Sequence, residues 1–134
     1  MGKLTNILIM MGSIVSTGFG VWHLFVPGIW NWYSYIDSSA KELILAVRAL
    51  NVFFSLSLIL FGIANMLLAY GSSSNRYSMM VVLSATCALW LTRIIFQIVY
   101  PQGTMNPFLQ YGMLAIFIGV FLCYFISLCR IIVK

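Results

Sequence analysis

Four long apolar stretches, parted by short polar links, dictate what this chain can fold into. They run from about Leu4 to Phe25, Leu43 to Tyr70, Tyr77 to Tyr100 and Pro107 to Val133. At a helical rise of about 1.5 Å per residue, each covers the roughly 30 Å hydrocarbon core of a bilayer. Composition closes the alternative, because a soluble domain needs about a quarter of its residues charged to solvate its surface. Here only 7% are Asp, Glu, Lys or Arg, against 63% hydrophobic and 16% aromatic. The expectation is an all-α membrane protein whose 134 residues form a single four-helix transmembrane domain.

The links predict how the helices are arranged. Gly71–Arg76, rich in Gly, Ser and Asn, joins the second and third stretches, and the uncharged Pro101–Pro107 joins the third and fourth. Links this short make consecutive helices antiparallel neighbours, an up-down-up-down bundle. The first link, Val26 to Glu42, is longer. Trp22, Trp30, Trp32, Tyr33 and Tyr35 crowd at this end, as an aromatic belt at headgroup level does. A short re-entrant or interfacial helix acting as a lid is expected in it, with Ser38 or Ser39 capping the second span. The first stretch has no small-x-small cleavage site and reads as a retained helix. Its Gly12, Ser16 and Gly20, at four-residue spacing, offer a small-residue face for close packing. Asn6 stands where a myristoylation signal needs Ser or Thr.

Charge sets the expected orientation. Lys3, Arg76, Arg130 and Lys134 fall at one end of the bundle and Lys41 at the other. By the positive-inside rule both termini are cytoplasmic, in a multi-pass protein of the cell membrane. The net charge of +5 comes from scattered residues with no basic run, which argues against nucleic acid as a partner. Cys87, Cys123 and Cys129 form no CxxC pair and read as small buried hydrophobes. No residues show metal-ligand spacing, so no metal or cofactor is expected.

Polar side chains within the spans carry the functional argument. Arg48, Asn51 and Ser55 share a face of the second span, and Thr86, Trp90, Arg93 and Gln97 a face of the third. His23 ends the first span, Gln110 begins the fourth, and Asn106 lies just above it. In an up-down-up-down bundle these groups converge at one depth below the outer surface. An arginine near mid-membrane costs at least about 2.5 kcal/mol on insertion scales, so turning both arginines inward is the cheaper arrangement. Asp37 and Glu42, the chain's two acids, are the available countercharges.

Two readings follow. In one, Arg48 and Arg93 snorkel to headgroup phosphates while Asn and Gln bond between helices. In the other, His23, Arg48, Asn51, Arg93, Gln97 and Gln110 line a pocket roofed by the aromatic link. That pocket would take a lipid phosphate, a carboxylate or a quinone head group. His23 reads as a hydrogen-bonded structural residue or a proton-transfer group. No Ser-His-acid set, phosphate loop, carboxylate pair or zinc motif is present, and enzymatic work by this chain alone is not expected.

The stretch Gly20-Val21-Trp22-His23-Leu24-Phe25-Val26-Pro27, followed by Gly62, Arg76 and Pro101 in later spans and links, resembles the DoxX-like group of small four-helix membrane proteins. The chain differs from that group in carrying Arg48 and Asn51 where the second span often holds an acid. The resemblance implies an accessory subunit near quinone-linked redox chemistry, with the cofactor on another chain. The expected role is an accessory or scaffold subunit that binds a partner protein or a second copy of itself. The alternative is a binding or transport module for a lipid, quinone or amphipathic anion.

Overall fold

The computed structural model describes residues 2–71 and 75–133. The serines of the second link and the expected anchor Lys134 lie outside the described residues. Four α-helices make up nearly all of the rest: α1 (Lys3–Ile29), α2 (Lys41–Tyr70), α3 (Arg76–Val99) and α4 (Pro107–Ile132). All four are long and apolar enough to cross a membrane.

The first helix exceeds its expected limit. The first apolar stretch ends near Phe25, yet α1 continues through Pro27 to Ile29. Proline lacks the N–H that would bond the carbonyl four residues back, here that of His23. The Asn51 side chain of α2 supplies the missing donor, its Nδ2 reaching the His23 carbonyl at 3.2 Å. Proline survives inside membrane helices when a neighbour restores the freed backbone group in this way.

The start of α2 also differs. Neither Ser38 nor Ser39 caps it; the N-cap is Ala40, with no side-chain bond. The Ser39 N–H instead bonds the Asp37 carboxylate at 2.9 Å. That bond holds the exposed Asp37 carboxyl below its ordinary pKa. The starts of α3 and α4 follow ordinary capping chemistry. Asn75 accepts the Ser78 N–H at 2.7 Å, and Asn106 accepts that of Phe108 at 3.0 Å, with Pro107 opening α4.

Contacts between helices run in opposite senses along each packed pair. From α1 to α2 they join Gly20 to Ser55, Ser16 to Leu58 and Ser13 to Gly62. From α1 to α4 they join Ser13 to Tyr124 and Thr5 to Arg130. Gln97 meets Gln110, and Arg76 meets Ile132, across α3 and α4. Both the α1–α2 and the α3–α4 connections therefore lie at one end, called here the aromatic end. The chain termini mark the other.

The α1–α2 seam is the closest approach. A Cβ on Gly20 would lie 2.7 Å from the Ser55 carbonyl oxygen, and one on Gly62 would collide with Thr17 Oγ1. The expected small-residue face is thus spent inside the chain: Gly12 lies against Cys123 and Tyr124 of α4, and Gly20 against α2. Trp90, Phe117, Tyr124, Ile9, Leu58 and Leu83 fill the core, while Leu50, Phe53, Leu67 and Phe108 point outward. Such an apolar exterior suits lipid and not water.

Candidate functional site

At the aromatic end, α1, α2, α3 and the α3–α4 link each contribute polar groups to one buried cluster. Arg93 of α3 is its centre, with 9% of its surface exposed. Its Nη2 donates to Gln102 Oε1 at 2.6 Å. Its guanidinium lies 4.7 Å from the Phe117 ring centroid and 5.9 Å from that of Phe54. Charge is therefore balanced by an amide dipole and two ring faces. Neither Asp37 nor Glu42 is among its hydrogen-bond partners. Its Nε is buried without a partner.

Gln97, one turn further on, is 3% exposed. Its Nε2 donates to the Gln102 carbonyl at 2.9 Å and more weakly to the Gln110 carbonyl at 3.5 Å, while its Oε1 stays unpaired. Gln102 thus meets both α3 side chains, one through its amide and one through its backbone. The turn that places it depends on Gly103, whose φ of 80° a side chain rarely tolerates.

On the α1–α2 side, His23 is 9% and Asn51 8% exposed. Asn51 donates to the His23 carbonyl, and its own Oδ1 is unpaired. Ser55 Oγ donates to the Asn51 carbonyl at 2.7 Å and lies 3.5 Å from His23 Nδ1. The His23 ring stands edge-on to Phe54 at 4.8 Å and to Trp32 at 6.1 Å.

Two cavities flank this cluster and share His23, Trp32, Arg93 and Gln102 as a common wall. One, of about 520 Å³, lies between α1, α4 and the α3–α4 link, against Trp22, Trp30, Leu109 and Met113. The other, of about 660 Å³, lies between α2 and α3. Its inner surface is His23, Asn51 and Arg93, and its rim is the exposed Leu50, Ala88, Thr92 and Phe96. A polar floor therefore sits behind a mostly apolar mouth.

Several expected members stand elsewhere. Arg48 is exposed and lies 5.3 Å from the Tyr33 ring centroid, outside the cluster. At 100° per residue it is about 60° around α2 from Asn51, enough to turn it from floor to surface. Gln110 enters through its carbonyl and not its amide. Of the aromatic residues, Trp22, Trp30 and Trp32 line cavities, Tyr33 serves Arg48, and Tyr35 is 83% exposed. The expected interfacial helix is reduced to a single 3₁₀ turn over Trp32–Tyr35.

Gln102 was not legible as a site residue, since a lone glutamine in a Pro/Gly turn carries no signal of its own. Asn65, a second omission, is fully buried nearer the termini and donates to Thr86 Oγ1 at 2.8 Å. No group of three or more metal-ligating side chains occurs among the described residues. No family model, curated protein or solved structure matches the chain.

Proposed function

We propose that this chain is a multi-pass membrane protein that binds an amphipathic, membrane-soluble molecule at the aromatic end. One observation carries the reading: a buried arginine with an unpaired donor forms the wall between two cavities. A guanidinium held only for structure is expected to be fully paired or to reach the interface. Ligand sites are concave and mostly apolar, with a few convergent polar groups, as here. Native mass spectrometry of protein purified in mild detergent tests it. Wild type and Arg48→Gln are expected to retain a bound amphiphile that Arg93→Gln loses. Equal retention by all three, or none by wild type, overturns the reading.

The accessory-subunit reading, including the DoxX-like kinship and a redox partner, has less support. One of its two docking features, the Gly12–Ser16–Gly20 face, is already covered by α2 and α4, which leaves the methionine-rich faces. A stoichiometric protein partner on purification, without bound amphiphile, would restore it.

In the membrane we place the helices in up-down-up-down order, the aromatic segment at the outer interface and both termini in the cytoplasm of the cell membrane. Lys3, Arg76 and Arg130 at the terminal end support this orientation. An impermeant thiol reagent added outside is expected to label Ser39→Cys and not Ser73→Cys; the reverse pattern inverts the topology.

A further inference from the structure

The ligand-binding reading leaves open what the ligand is and how it reaches Arg93. We propose that it is a single-chain amphiphile with a carboxylate head, reaching Arg93 sideways from the bilayer between α2 and α3. The carboxylate displaces the Gln102 side chain from Arg93. This inference rests on the binding reading above.

The order of polarity in the larger cavity sets the direction of approach. Its mouth, Leu50, Ala88, Thr92 and Phe96, faces outward where lipid tails lie, while Asn51 and Arg93 form the floor. A molecule sliding in from the lipid therefore enters head first and leaves its tail at the apolar rim. The Thr92 hydroxyl does not oppose this, because it is spent on the Ala88 carbonyl at 2.8 Å.

Charge and size set the class. Arg93 is the one buried cation among the described residues, and its partner is a neutral amide. One guanidinium matches a monoanion, and a carboxylate fits its fork of donors with two parallel bonds. The unpaired Asn51 oxygen on the same floor disfavours a head of higher negative charge. About 660 Å³, at roughly 30 Å³ per water-sized group, has room for roughly 20 such groups, the size of a small head with one acyl chain.

Gln102 occupies the place of the ligand head. Its Oε1 sits 2.6 Å from Arg93 Nη2, the position a carboxylate oxygen takes, and it belongs to a link residue that is itself exposed. Swinging it into water costs little, since its backbone carbonyl remains held by Gln97. The amide is a neutral stand-in for the carboxylate at Nη2.

The test uses full-length protein, stripped of lipid and placed in phosphatidylcholine nanodiscs, titrated with oleate against an empty-disc background. Methyl oleate, with the same chain and no charge, and lysophosphatidate serve as comparison probes. Saturable oleate binding is expected, at least tenfold tighter than methyl oleate and no weaker than lysophosphatidate. Arg93→Gln is expected to lose at least tenfold, and Leu50→Trp, which narrows the mouth, several-fold. Gln102→Ala is expected to bind oleate several-fold tighter, because the competing amide is gone. Arg48→Gln is expected to match wild type.

Equal binding of oleate and methyl oleate would overturn the carboxylate assignment and leave the ligand-binding reading intact. Binding of neither would sink both. Lysophosphatidate tighter by tenfold would replace the monoanion with a phosphate head. A loss in Arg48→Gln equal to that in Arg93→Gln would move the interaction to the surface. Weaker binding by Gln102→Ala would make Gln102 a holder of the ligand and refute displacement. Should Arg93→Gln fail to fold, the ester comparison and the Leu50 and Gln102 variants decide alone.

Discussion

The two ends of this bundle use buried polarity in opposite ways. Toward the termini, polar side chains meet across helix pairs: Tyr124 donates to Ser13 at 3.1 Å, Asn65 to Thr86 at 2.8 Å and Arg130 to Thr5 at 3.3 Å. Small residues beside them let the backbones close up. At the aromatic end the buried side chains bond to backbone carbonyls and to a link residue, and two cavities open beside them. Asn6, Thr17 and Asn65 also keep an unpaired oxygen, but none of these lines either cavity. Unpaired polarity becomes a candidate site only where space and a charge accompany it. Where space is lacking it is interhelical glue.

The largest expected effect on stability therefore lies away from the cavities. Gly62→Val should drive a side chain into Thr17 and the Ser13 carbonyl, the latter 3.0 Å from where the new Cβ would stand. Overpacking of this kind costs about 1–3 kcal/mol, and rigid backbone on one side puts this case at the upper end. A clear fall in Tm in detergent is the expected readout; an unchanged Tm would mean the seam is looser than the α1–α2 contacts show.

Asn51 gives the next largest effect and links the two ends of the comparison, since it belongs to the floor yet repairs the backbone. Asn51→Ala should cost about 1–3 kcal/mol by leaving the His23 carbonyl unsatisfied. Pro27→Ala restores the N–H that the helix lacks. In that background Asn51→Ala should cost measurably less, an interaction a double-mutant cycle reads directly. Additive costs would refute the repair.

Much of this was legible in the sequence, and the failures have physical causes. Helix number and extent follow from apolar length, because lipid leaves the backbone no other solution. The buried face of α3 follows from periodicity, and Thr86, Trp90, Arg93 and Gln97 are all buried. The run of α1 past Phe25 and through Pro27 was not legible because local propensity cannot see Asn51 on another helix. Arg48 misleads because three-residue spacing permits a shared face without requiring a shared environment, and a long side chain follows the nearest ring. Gln102 is invisible because its role comes entirely from where the Gly103 turn delivers it. The terminal half looks plainly apolar until Asn65 is found buried against Thr86.

The smallest expected effect separates the two arginines. Arg48→Ala removes an exposed cation that lies over the Tyr33 ring at 5.3 Å. An exposed cation–π contact is worth about 0.5–1 kcal/mol, so Tm should barely move and ligand retention should not change. Arg93→Leu should also leave Tm near or above wild type, because an apolar side chain avoids the desolvation a buried charge suffers. Exposed Gln102 can turn to water once its donor is gone. The pair then differs in one property: bound amphiphile survives the first substitution and not the second. If Arg93→Leu instead unfolds the protein, the arginine is structural glue after all, and the two ends of the bundle are alike.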